Sequence, residues 1–114
     1  MSVTIWHNPR CSKSRATLAL IRARGIEPEI RLYLDQPPSI AELIEAVARL
    51  GHPAAALARR DDAAFAALGL SPDMPEPALL AALSAHPHLI ERPLVLTAAK
   101  AALGRPPEAV LAIL

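Results

Sequence analysis

The sequence predicts an α/β fold in three layers, with helices on a mixed four-stranded sheet and a helical insertion between the two halves of that sheet. Three observations predict it. The chain opens with a short strand-like run, a helix-length segment and a second alternating run, which together make a β-α-β unit. The Ala- and Leu-rich centre, punctuated by prolines, carries only helical spacing. The tail returns to strand character before one last helix.

Each element has a local reason. Val3 to Trp6 reads as a short buried strand. A helix over about Lys13 to Arg24 turns Leu18 and Ile21 inward, with Ala16 and Leu20 beside them, and Gly25 suits its end. Glu29 to Leu34 alternates and reads as the second strand. Asp35-Gln36-Pro37-Pro38 is a break. Ser39 with Glu42 three positions on has capping-box spacing, and the helix it opens runs to about Leu50, with Gly51 closing it. Leu43, Val47 and Leu50 form its apolar stripe. Pro53 to Leu70 holds two short helices separated near Arg60-Asp61. Pro75 and Pro77 open another helix that runs to about Ala85. Leu94 to Thr97 is a strand, paired through a tight turn with a second one over Lys100 to Leu103. Pro106-Pro107-Glu108 starts a final helix that offers Val110, Leu111 and Leu114 to the core. This order is thioredoxin-like, and residues 1–114 read as one domain.

Composition narrows the function. With 53% hydrophobic and 3% aromatic residues the core is aliphatic, and base stacking on nucleic acid is disfavoured. A net charge of +1 gives no general footprint for nucleic acid, so anion binding must come from local arrangement. One cysteine excludes an internal disulfide and fits a reducing compartment. The N-terminal segment has no signal-peptide pattern, and no run approaches the roughly 20 apolar residues of a membrane span. A cytoplasmic protein, monomeric and without membrane or nucleic-acid partners, is expected.

The chemistry centres on His7-Asn8-Pro9-Arg10-Cys11-Ser12-Lys13-Ser14-Arg15. A lone cysteine is ordinarily a small buried hydrophobe, yet these neighbours are polar or charged. A thiol placed before the first turn of a helix faces unpaired N–H groups and the positive end of the dipole. Such settings lower a cysteine pKa from about 8.5 into the range of roughly 3.5–7.5. His7, four residues earlier, would add to this if protonated. Ser14 stands where a C-x-x-C pair would have its second cysteine, so any disulfide at Cys11 must be resolved by another molecule. The remaining histidines show no metal-ligand spacing, and the four glycines form no phosphate-cradling loop. Arg59, Arg92 and Arg105 are further candidates. The last two precede prolines, which holds their backbone extended and helps aim the planar fork that suits oxyanions.

These residues resemble the glutaredoxin-dependent arsenate reductases, the ArsC family of thioredoxin-like fold, and within it a short-chain subgroup. The run from Ile5 to Ser39 contains the pattern H-N-P-x-C-x-x-S-R, and the blocks ALARRDDAAFAALGL, HPHLIERPLVLT and GRPPEAVLAIL follow in family order. The resemblance implies Cys11 as nucleophile and Arg59, Arg92 and Arg105 as the oxyanion-binding set. It implies His7, Ser14 and Arg15 as thiolate-stabilising groups, and Asn8 and Pro93 as structural neighbours, with a cis Arg92–Pro93 bond. It implies arsenate as substrate, glutathione as co-substrate, glutaredoxin as partner and no bound cofactor or metal. Two other readings remain: an Spx-like regulatory or binding protein of the same fold, and a glutathione-linked thiol reductase acting on another substrate. The regulators usually carry C-x-x-C, whereas this chain has C-x-x-S.

Overall fold

The computed structural model describes residues 2–114. Strand β1 (Thr4–Trp6) lies inside a four-stranded sheet, between β2 (Glu29–Arg31) and β3 (Leu94–Leu96), with β4 (Ala101–Leu103) at the far edge. β1 runs parallel to β2, with Ile5 opposite Ile30, and antiparallel to β3, with Ile5 opposite Val95. β3 and β4 are antiparallel. The sheet is therefore mixed, as the order of elements predicts.

Alternation along the strands divides the core in two. Ile5 and Val95 point to one face, where they meet Leu18 and Ile21 of α1 (Ser12–Ala23) and Val110 of the C-terminal segment. Trp6, Leu94 and Leu96 point to the other face and join the helical block. That block comprises α2 (Ile40–Leu50), a 3₁₀ turn at Ala54–Leu57, α3 (Ala63–Ala67) and α4 (Glu76–Ala85). Leu43, Leu57, Leu79 and Leu83 are completely or almost completely buried there. Burying each such side chain stabilises by about 1.5–3 kcal/mol. The result is three layers of thioredoxin-like form.

Local signals set the helix ends. The Ser39 hydroxyl accepts from the Glu42 N–H at 3.1 Å, and the Glu42 carboxylate accepts from the Ser39 N–H at 3.0 Å, a complete capping box. Gly51 ends α2 at φ +72°, a left-handed conformation that favours glycine.

Several elements differ from expectation. The second strand ends at Arg31 rather than Leu34. The chain turns there because the N–H groups of Asp35 and Gln36 both bond back to the Leu32 carbonyl. The Arg31 guanidinium fastens the turn to the Gln36 and Pro37 carbonyls. On α1 the inward positions are Ser14, Thr17, Leu18 and Ile21, while Ala16 is exposed. A 3₁₀ turn at Pro87–Leu89 was not anticipated from the sequence. The last segment, Pro107–Ile113, is 3₁₀ rather than α. Three residues per turn puts Val110 and Ile113 on the core side and leaves Leu111 outside the cluster.

Candidate active site

Cys11 occupies the N-cap of α1 in extended backbone geometry, φ −94° and ψ 123°, and is half-buried. Its side chain makes no capping bond, yet the first-turn N–H groups of Ser14 and Lys13 act on the sulfur. Burial alone raises the thiol pKa. The N–H groups of Ser14 and Lys13, together with the charges of Arg92 and Arg105, outweigh that and lower the pKa below its ordinary value.

The loop before the helix is held by short local bonds. The Cys11 N–H donates to the Asn8 carbonyl at 3.0 Å, and the Arg10 N–H to Asn8 Oδ1 at 3.0 Å. The Ser14 hydroxyl is fully buried, accepts from the Asn8 N–H at 3.0 Å and lies 2.7 Å from His7 Nδ1. Ser14 thus ties the loop through its side chain, while its backbone N–H helps to lower the Cys11 pKa.

His7 and Arg15, expected to stabilise the thiolate, each have a hydrogen-bond partner in the loop or helix around the thiol. Burial, and then the charges of Arg22 and Arg15, lower the His7 pKa, which disfavours the cationic ring. Arg15 donates to the Pro9 carbonyl at 2.8 Å.

The three arginines meet in one open cleft of about 800 Å³, and the chain topology explains how. The segments around Ala58 and Ile90 pair as an antiparallel bridge, with the Arg59 N–H on the Leu89 carbonyl at 2.7 Å. This brings Arg59 next to the Glu91-Arg92 segment. Arg59 Nη1 also donates to the His88 carbonyl at 3.1 Å. Arg92 precedes Pro93 through a cis peptide bond, as the resemblance implies, and Arg105–Pro106 is cis as well. The Gly104 N–H donates to the Pro93 carbonyl at 2.9 Å, and Arg105 Nη1 donates to the Arg92 carbonyl at 2.9 Å. Gly104 has no room for a side chain, because an added Cβ would collide with Thr17 Oγ1 and lie 2.7 Å from Pro93 Cγ.

Cys11 does not line this cleft; Arg92 and Arg105 connect the two. Carboxylates hold the guanidinium groups. Glu91 lies 3.2 Å from Arg92 Nη1 and 3.5 Å from Arg105 Nε, and Asp62 lies 3.5 Å from Arg59 Nη2. The sequence reading did not single out Glu91 or Asp62. It also passed over Tyr33, which is buried and has its hydroxyl pKa raised by that burial against the pull of Arg92 and Arg59. Its position between two leucines in an apparent strand gave no signal. No group of side chains with metal-binding composition occurs among the described residues, and no helix there is long and apolar enough to cross a membrane.

Fold and site define a class, a thioredoxin-like protein with one activated thiol and no second thiol to resolve it. The ArsC family model matches residues 6–113, and the chain belongs to the ArsC family. It is 47% identical over 114 residues to an arsenate reductase of Neisseria meningitidis, covering 98% of this chain and 97% of that one. It is also 47% identical, across the whole of both chains, to an arsenate reductase of Haemophilus influenzae. The solved structure of an arsenate reductase from Vibrio cholerae superposes with a TM-score of 0.96 at 46% identity, covering 100% of this chain and 98% of that one.

Proposed function

We propose that this protein is an arsenate reductase that works through a covalent adduct at Cys11, with glutathione as reductant and glutaredoxin as recycling partner. The observation that carries the reading is the placement of the only cysteine at the start of α1, where helix N–H groups and two cleft arginines lower its pKa. The full-length likeness to arsenate reductases supports the choice of substrate.

Arg59, Arg92 and Arg105 bind the oxyanion and offset its charge. The Cys11 thiolate displaces water from arsenic and forms a sulfur–arsenic bond. Glutathione sulfur then bonds to Cys11 sulfur. The electron pair of the sulfur–arsenic bond stays on arsenic, which falls from the pentavalent to the trivalent state and leaves as arsenite. Glutaredoxin takes the glutathione by thiol–disulfide exchange and frees the Cys11 thiolate. The residues around the thiol position and activate it, with no metal in any step. In this reading the protein acts as a monomer in the cytoplasm.

A coupled assay with glutathione, glutaredoxin, glutathione reductase and NADPH tests the reading. Arsenate-dependent NADPH oxidation is expected from the wild type and none from Cys11→Ser. Without glutaredoxin the wild type should accumulate a glutathione-sized mass increase that Cys11→Ser lacks. Sustained reduction by Cys11→Ser sinks the mechanism. No reduction by wild type in the complete system assigns the thiol to a different substrate or to regulation.

A further inference from the structure

Glu91 is an unusual occupant of a cleft meant for an anion. Its Oε1 sits between two of the three arginines, 3.2 Å from Arg92 Nη1 and 3.5 Å from Arg105 Nε. The side chain is only 23% exposed. Its backbone is anchored as well, since the Glu91 N–H donates to the Leu57 carbonyl at 2.6 Å. The carboxylate is therefore a built part of the cleft wall, and an anion resting on Arg92 and Arg105 shares those guanidinium groups with it. Each guanidinium has five N–H donors. Arg92 commits one nitrogen to Glu91, and Arg105 commits Nε to Glu91 and Nη1 to the Arg92 carbonyl. Donors remain on both for a second acceptor.

A carboxylate beside a bound oxyanion repels it unless the oxyanion brings a proton to share. An ionised carboxylate only accepts hydrogen bonds. Arsenate and phosphate keep at least one hydroxyl at neutral pH, because phosphate-type groups have a second ionisation at roughly pH 6–7 and a third far above. Sulfate is fully ionised there and has no hydrogen to donate. We propose that Glu91 is the specificity-determining residue that selects a protonated oxyanion, accepting a hydrogen bond from an arsenate or phosphate hydroxyl and excluding sulfate. The proposal rests on the arginine cleft being the oxyanion site of the reductase reading.

A site that hydrogen-bonds a ligand hydroxyl rejects the analogue lacking it by large factors, up to about 10⁴–10⁵ when fully buried. With Glu91 partly exposed, solvent screening reduces this to about tenfold to a hundredfold. Glutamine keeps the shape and removes the charge. Its amide offers both a donor and an acceptor, so it tolerates either anion.

The test is titration of wild type, Glu91→Gln and Glu91→Asp with inorganic phosphate and with inorganic sulfate, followed by 1H–15N NMR at neutral pH. Wild type should bind phosphate at least about tenfold more tightly than sulfate. Glu91→Gln should bring the ratio close to one, mainly by gaining sulfate affinity, and Glu91→Asp should restore part of the preference. A merely structural role would weaken both anions together and leave the ratio unchanged, and that result overturns the proposal. So does equal binding of the two anions by wild type. Normal arsenate reduction by wild type alongside either result would strike only the role of Glu91. Failure of wild type to bind either phosphate or sulfate would overturn the cleft as an oxyanion site and the specificity role with it.

Discussion

Arg105→Lys separates what the cleft does with charge from what it does with geometry. Arg105 reaches two partners at once, the Arg92 carbonyl through Nη1 at 2.9 Å and Glu91 through Nε at 3.5 Å. Lysine carries the same charge on a single nitrogen and cannot hold the backbone, face Glu91 and bind an oxyanion together. A hydrogen bond involving a charged group is worth about 1.5–3 kcal/mol. The side chain is 28% exposed, so about 1.5–2 kcal/mol of that range applies. At 1.36 kcal/mol per decade this is roughly a 10- to 30-fold loss in kcat/KM for arsenate. The thiolate responds differently, because Arg105 is one of the charges that lower the Cys11 pKa. Arg105→Lys should leave the Cys11 titration, read by thiolate absorbance, near that of wild type, whereas Arg105→Gln should move it upward. Wild-type kcat/KM in Arg105→Lys would refute the geometric role. Identical thiolate titrations in wild type and Arg105→Gln would refute the electrostatic one.

Three further outcomes concern stability. Arg31 grips Glu42 with two bonds, at 2.7 and 3.2 Å, and holds its pKa down to about 2. A depressed carboxylate pKa stabilises the fold above its unfolded value and loses that effect as pH falls, here from about 4.5 towards 2. The Glu42 side chain is 42% exposed, so screening leaves about 1 kcal/mol, and Glu42→Gln should flatten the stability–pH curve in that window when followed by urea unfolding. Gly104→Ala should destabilise by about 1–3 kcal/mol in the same assay, since the new Cβ strikes Thr17 and Pro93; an unchanged midpoint would mean the helix and proline yield freely. Ser14→Ala should cost about 1–3 kcal/mol, because the buried His7 and the Asn8 N–H both lose their partner, and a midpoint within error of wild type would contradict that accounting.

Features decided by near neighbours in sequence were legible. The capping box at Ser39 and Glu42 needs only a three-residue spacing, and Cys11 at the start of α1 needs only the strand and helix that flank it. Arg59, Arg92 and Arg105 stood out as candidates, two of them through the prolines that follow, but spacing could not show that they meet, since they do so only after the segments around Ala58 and Ile90 pair. The charge of His7 was beyond reach for another reason. Sequence shows a histidine four residues from a thiol but not its burial, and burial is the largest influence lowering its pKa. Glu91 and Tyr33 escaped because an acidic residue beside arginine and a tyrosine between leucines each have an ordinary surface or strand explanation.

The two kinds of support for the thiolate have different fates once an anion arrives. Arg92 and Arg105 lower the Cys11 pKa in the open cleft, but an entering oxyanion brings negative charge to those same guanidinium groups and cancels part of their field at the sulfur. The N–H groups of Ser14 and Lys13 belong to the helix backbone. Their positions are set by the helix they open and by the contacts of the Ser14 hydroxyl with His7 Nδ1 and the Asn8 N–H. Burial at Cys11 pushes the other way throughout, and more strongly than any single stabilising group. A site relying on arginines alone would therefore lose much of its nucleophile on binding its substrate. Placing the thiol on the helix N-cap keeps part of the stabilisation out of the substrate's reach, so the arginines can turn to the anion while the backbone goes on lowering the thiol pKa.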